Sequence, residues 1–141
     1  MKLVLDGSAA LAWVHGDERT PAIEAVFDRV AEHGAVVPAL WRLEVANGLT
    51  VALRRKRITG AARAEALSDL DCLDIAEDAE TGQHAWRSTV QIADLYGLTV
   101  YDAAYLELAQ RRRLPLVTLD GALIRAAKAA GVEVLGKEEQ L

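Results

Sequence analysis

Short, unbroken apolar runs alternate with longer helix-periodic stretches along this chain, and that alternation constrains its fold more than any other feature. Lys2–Leu5, Ala35–Val37, Leu73–Ile75, Leu116–Leu119 and Val132–Leu135 read as strands buried on both faces. Ser8–Val14, Ala22–Glu32, Leu40–Arg57, Ala61–Asp71, Ala79–Tyr96, Asp102–Arg113 and Ala122–Ala130 read as helices, with Gly34, Gly97 and Gly131 placed to stop three of them. A strand with no solvent face must be covered twice, and parallel neighbours need crossover helices to join them. The expectation is an α/β fold, three-layer α/β/α, with a mainly parallel sheet.

The length of 141 residues suits one domain spanning 1–141, without repeat, linker or low-complexity tract. The charged tail 137–141 is expected to fray. Cys72 is the one cysteine, so no intrachain disulfide can form and a reducing, cytoplasmic setting is expected. The apolar run Leu3–Leu5 is far too short for a signal peptide or a membrane span, so no membrane association is expected.

In open α/β sheets, ligands bind at the carboxyl ends of the strands, which makes acids there worth collecting. Asp6 ends K-L-V-L-D and Asp120 ends L-V-T-L-D, each directly before a helix. Glu44 falls in the first turn or so of the helix after Ala35–Val37, and Asp102 sits where Leu98–Tyr101 gives way to the next helix. Taken singly, each Asp reads first as a helix cap and Glu44 as a solvated helix residue. Taken together, none has an evident basic partner at helical spacing except Arg125 after Asp120. Four converging, unpaired carboxylates raise one another's pKa and cost stability.

A divalent cation removes that cost, and an all-oxygen donor set selects Mg²⁺, or Mn²⁺, over zinc. Such ions suit phosphodiester chemistry. The net charge of −5 gives no broad basic surface for a nucleic acid, but bound cations reverse the local sign where a phosphate sits.

Four segments carry a resemblance: V-L-D-G-S-A-A-L-A-W from Val4 to Trp13, L-E-V-A-N-G-L from Leu43 to Leu49, L-T-V-Y-D-A-A-Y-L-E-L-A from Leu98 to Ala109, and L-P-L-V-T-L-D from Leu114 to Asp120. In this order and spacing the chain resembles the PIN-domain family, most closely the VapC-type toxins of bacterial and archaeal toxin-antitoxin pairs. The resemblance implies a metal-dependent endoribonuclease with Asp6, Glu44, Asp102 and Asp120 as its catalytic, metal-binding quartet and Ser8 and Thr118 as supporting polar groups. It also implies an RNA substrate, a VapB-type protein antitoxin and a homodimer. Asn47, three residues after Glu44, lies on nearly the same helix face, where it orients that carboxylate or meets substrate. Gly7 departs from the family, which more often has Ala there.

Other residues invite a function and have a plainer explanation. Arg54, Arg55, Lys56 and Arg57, like Arg111, Arg112 and Arg113, close helices, where solvated cations complement the helix dipole; contact with an RNA backbone is the competing role. His15, His33 and His84 lack zinc-ligand spacing and are expected at the surface. Trp13, Trp41 and Trp86 sit in apolar helical patterns and are expected in the core or at a subunit contact rather than as base-stacking platforms. Cys72 is expected to be buried and inert.

Two other functions remain open to the sequence. A signalling receiver pairs two acids after its first strand and phosphorylates a third after a central one. Here Asp6 is followed by Gly7 and Ser8, and Ile75 by Ala76. A PIN fold that has lost catalysis and only binds partners is the second. Haloacid-type phosphatases fit worse, since Ser8 stands where their second acid belongs.

Overall fold

The computed structural model describes residues 1–137. Of the tail expected to fray, Lys137 is exposed, and 138–141 lie outside the described residues. The elements run β1 (Leu3–Leu5), α1 (Gly7–Val14), α2 (Pro21–His33), β2 (Ala35–Val37), α3 (Trp41–Arg54), α4 (Gly60–Asp71), β3 (Ile75–Glu77), α5 (Thr81–Ala85), α6 (Ser88–Tyr96), α7 (Val100–Arg112), β4 (Leu116–Val117), α8 (Gly121–Ala129) and β5 (Val134–Leu135).

The five strands form one sheet in the order β3-β2-β1-β4-β5, and every pair is parallel. Val4 is the centre of the register, opposite Val36 on one side and Leu116 on the other. Leu3, Val4 and Leu5 are fully buried, as an unbroken apolar run between two helical layers must be. The chain winds outward from β1 through β2 and β3, then restarts on the other side with β4 and β5. That reversal puts a crevice between the carboxyl ends of β1 and β4.

Helix boundaries follow local chemistry. Thr20, Thr59 and Thr99 each accept the backbone N–H three residues on, opening α2, α4 and α7. Gly34, Gly97 and Gly131 all take positive φ just beyond their helices, as expected. Gly48 matters for packing instead, because a Cβ there would fall 2.5 Å from Cδ1 of Leu11, and its absence is what lets α3 approach α1.

Several expectations need correction. The third strand lies two residues later than Leu73–Ile75, because it is an edge strand whose last residues, Ala76 and Glu77, are exposed and break the apolar run. Ala79–Tyr96 is two helices, broken around Trp86 and Arg87, where Arg87 leaves helical geometry at φ −121° and ψ −107°. Trp86 is 93% exposed, so it is no core residue, whereas Trp41 is buried and Trp13 stacks on Phe27 at 4.4 Å. Cys72 is exposed, not buried, at the carboxyl end of α4. His15 is buried and His84 half-buried against Glu107; His33 is at the surface as expected.

Arg111 is not a solvated cap. It reaches inward to Asp78 and to Glu107, with its Nε 2.9 Å from Oε1 of Glu107. Both acids are buried. Asp78 directly follows β3, so an acid does stand after the third strand, but on the sheet edge and clasped by Arg111 rather than free to accept a phosphate. Arg54 to Arg57, Arg112 and Arg113 are exposed. Among the described residues, no helix is long and apolar enough to cross a membrane.

Candidate active site

β1 runs directly into Asp6, whose backbone N–H donates to the Val117 carbonyl at 2.9 Å. That bond extends the β1–β4 pairing by one residue and sets Asp6 beside Thr118. The Asp6 side chain is 5% exposed. Although Asp6 occupies the cap position of α1, its side chain makes no cap bond. Its Oδ2 instead accepts from Ser8 Oγ at 2.8 Å and from Thr118 Oγ1 at 2.7 Å.

The two hydroxyls are themselves oriented. Ser8 Oγ accepts the Leu119 N–H at 3.0 Å, and Thr118 Oγ1 accepts the Asp120 N–H at 3.1 Å. With a lone pair of each hydroxyl committed to the backbone, its single proton is left to point at Asp6. Asp120, by contrast, does cap its helix: Oδ2 accepts from the Leu123 N–H at 2.9 Å. Its plainer explanation therefore holds for one oxygen.

Glu44 lies in the first turn of α3, half-buried, and its Oε1 accepts from the Tyr105 hydroxyl at 2.6 Å. Gly7 crowds the same oxygen, since a Cβ at Gly7 would stand 3.2 Å from Oε1. Asp102 is in the first turn of α7, where its backbone N–H bonds the Thr99 cap. Asn47 is exposed on the next turn of α3 and, among the described residues, makes no side-chain hydrogen bond to Glu44.

The four acids share one electrostatic field. Burial raises the Asp6 pKa, the bonds from Thr118, Ser8 and the Gly7 backbone oppose that, and Asp120 adds to it. Burial likewise raises Glu44, against the Tyr105 bond, and Asp6 and Asp102 push it further. Asp102 is pushed up to about 6, by burial first and then by Asp120 and Asp6. Among the described residues, no ion pair relieves any of the four; Arg125 forms none with Asp120.

Among the described residues, no three acids, histidines or cysteines are drawn into a closed metal-holding group. Four carboxylates near one another repel, and a cation offsets that cost. The donor chemistry, oxygen alone from four carboxylates, fits a hard divalent cation and not zinc. A cavity of about 470 Å³ lies elsewhere, between α3 and α4, and contains none of the four acids. Asp6 and Asp120 follow the carboxyl ends of β1 and β4, and Glu44 and Asp102 stand in the first turns of α3 and α7.

Sequence reasoning missed Tyr105. The available signal was its spacing: Tyr105 is three residues after Asp102, on nearly the same helix face.

A parallel sheet that reverses its winding beside β1, with acids after the carboxyl ends of β1 and β4, defines a doubly wound α/β domain. The PIN domain family model matches residues 3–129. Ribonuclease VapC3 of Pyrobaculum aerophilum is 32% identical over 120 residues, covering 85% of this chain and 90% of that protein. The chain belongs to the PIN-domain family, among its VapC-type members. Two solved structures share the fold. PAE2754 from Pyrobaculum aerophilum has a TM-score of 0.68 and 26% identity, covering 95% of this chain and 83% of its own. VapBC2 from Rickettsia felis, bound to a DNA fragment from its promoter, has a TM-score of 0.65 and 14% identity, covering 95% and 97%.

Proposed function

We propose that this chain is a divalent-metal-dependent endoribonuclease that hydrolyses RNA phosphodiester bonds, and that it is the toxin of a toxin-antitoxin pair. The observation that carries the proposal is a set of neighbouring acids without a basic partner among the described residues: Asp6 is buried with only the Ser8 and Thr118 hydroxyls on its side chain, Glu44 has only the Tyr105 hydroxyl, and both, with Asp102, feel the charge of their fellow acids. A fold does not keep such a cluster for stability, since capping needs only one oxygen of one acid. An identity of 32% to a ribonuclease across 85% of the chain supports the same conclusion.

Mg²⁺ or Mn²⁺, when bound, supplies Lewis acidity at the phosphoryl oxygen and neutralises the charge that develops there. Asp6, Glu44, Asp102 and Asp120 are the groups that would hold it. Ser8 and Thr118 aim their protons at Asp6, which fixes it in place and opposes the rise in its pKa that burial causes. Asn47 is exposed, which supports contact with substrate over orientation of Glu44. Without the cation the four acids repel a phosphodiester, so binding of RNA and of metal are coupled. VapC-type membership supports a VapB-type antitoxin as partner, a homodimer as the assembly and the cytoplasm as the setting.

The decisive test is Asp6→Asn. Asn keeps the shape and the acceptor for both hydroxyls but lacks the charge. Cleavage of single-stranded RNA at saturating Mg²⁺ is expected to vanish while melting in chelator is unchanged or slightly raised. Parental cleavage by a folded Asp6→Asn protein, or undiminished cleavage by the parent after exhaustive chelation, overturns the proposal.

A further inference from the structure

Glu44 is gripped at one oxygen only. Its Oε1 takes the Tyr105 hydroxyl proton at 2.6 Å, and the bare backbone of Gly7 leaves just enough room beside that oxygen, with a Cβ there standing 3.2 Å away. Tyr105 is fully buried in the middle of α7, where every residue from Ala103 to Ala109 is buried, so the phenol cannot swing away. The carboxylate oxygen can only accept, so the phenol is the donor in this bond. Among the described residues, Oε2 has no hydrogen-bond donor of its own.

We propose that Tyr105 is a positioning residue that ties the Glu44 carboxylate to the buried helix α7 and so fixes its orientation, which would favour small cations of strict octahedral geometry over larger, more permissive ones. This rests on the metal-centred function proposed above. The distinction matters because Ca²⁺ accepts both oxygens of one carboxylate within a loose shell of six to eight ligands, whereas Mg²⁺ requires near-ideal octahedral geometry and shorter bonds. A carboxylate tied to a rigid donor cannot turn freely to meet the looser shell that Ca²⁺ prefers. Freed from that donor, Glu44 can turn and present both oxygens.

The test is selectivity, a property that general loosening of the fold leaves alone. Mn²⁺ and Ca²⁺ affinities are measured by calorimetry for the parent, for Tyr105→Phe and for Gly7→Ala, with melting in chelator to establish that each is folded. Tyr105→Phe removes only the hydroxyl and is expected to weaken Mn²⁺ about tenfold, the lower end of what loss of a ligand's supporting partner costs. Ca²⁺ affinity is expected to hold or rise, so the Mn²⁺/Ca²⁺ ratio falls by at least that factor.

Gly7→Ala displaces Oε1 by a few tenths of an ångström without touching the phenol, and it is expected to lower the ratio in the same direction. It serves on its own if Tyr105→Phe fails to fold. On a Glu44→Gln background, Tyr105→Phe is expected to change neither affinity further. An unchanged ratio in the folded variants, or an equal loss for both ions, overturns the role of Tyr105 while leaving the metal centre standing. A parent that binds neither ion overturns the metal centre itself, and this inference with it.

Discussion

Thr118 donates its hydroxyl proton to Oδ2 of Asp6 across 2.7 Å, tying the residue after β1 to the residue after β4. The bond is buried, since Thr118 is 0% and Asp6 5% exposed, and the same Thr118 oxygen accepts the Asp120 N–H. One side chain thus spaces two of the four acids. Thr118→Val keeps the volume and removes both bonds. It is expected to cost about 1–3 kcal/mol in stability, because the Asp120 N–H and the Asp6 carboxylate each lose a buried partner. Cleavage is expected to fall about 10–100-fold, while Thr118→Ser retains most of it. Denaturant melts with cleavage rates check this, and a valine variant as active as the parent would count against any link between Thr118 and the acids.

The metal-free protein carries a pH dependence that follows from Asp102. Its pKa rises from 3.8 to about 6 on folding, through burial first and then Asp120 and Asp6. A raised pKa contributes stability that is complete below 3.8 and is lost as pH climbs through about 6. In chelator, the parent is therefore expected to gain stability from pH 7 to pH 5, relative to Asp102→Asn, which has no proton to take up. At pH 7 the variant is expected to melt about 2–5 °C above the parent. Parallel melting curves for the two proteins across this range would remove the crowding argument.

Arg111 makes the opposite kind of site, one that serves the fold. Burial alone raises Asp78, but the Arg111 bond, the Glu80 backbone and Thr81 outweigh it and hold its pKa below the usual 3.8. Arg111 also grips Glu107, so its loss leaves two buried acids without their cation. Arg111→Met is expected to destabilise by about 3–5 kcal/mol, and Arg112→Met, at an exposed position, by less than about 0.5 kcal/mol. A depressed pKa contributes stability above 3.8 that disappears as pH falls through the folded value. The gap between parent and Arg111→Met should thus narrow below about pH 4. Urea melts of the three proteins at pH 7 and pH 3.5 measure both effects.

The contrast between these two acid groups explains what the sequence disclosed. Asp6 and Asp120 were legible because each ends an apolar run that can only be a buried strand, and strand ends in a parallel sheet share one rim. Glu44 and Asp102 became persuasive through their segments' resemblance to a family, since neither ends a strand. The Asp78–Arg111–Glu107 group was hidden. Its members come from the end of β3 and from α7, and nothing in local periodicity says that the last turn of a helix points inward. Tyr105 was hidden for a related reason: α7 is buried on nearly every side, so its pattern does not single out one residue. Strand β3 slid by two residues because edge strands lose the two-sided burial that makes an apolar run conspicuous.

A divalent cation should reverse the pH behaviour of the fold as well as enable cleavage. Ligand bound to the native state alone stabilises by RT ln(1 + [L]/Kd), about 2.7 kcal/mol at a hundredfold excess over Kd, which for a chain of this size raises Tm by about 5–10 °C. The carboxylates must be ionised to hold the ion. Asp102 takes its proton at about 6, so the Mg²⁺-induced shift is expected to be full at pH 7.5, to shrink as pH falls through 6 and to be small at pH 5. Metal-free stability changes in the opposite sense over the same interval, so the two melting profiles converge toward acid. Asp6→Asn is expected to abolish most of the Mg²⁺ shift at every pH, whereas Arg111→Met, which lowers the starting Tm, leaves the size of the shift intact. A shift that stays constant from pH 5 to pH 7.5, or that survives in Asp6→Asn, would place the ion somewhere other than the rim between β1 and β4.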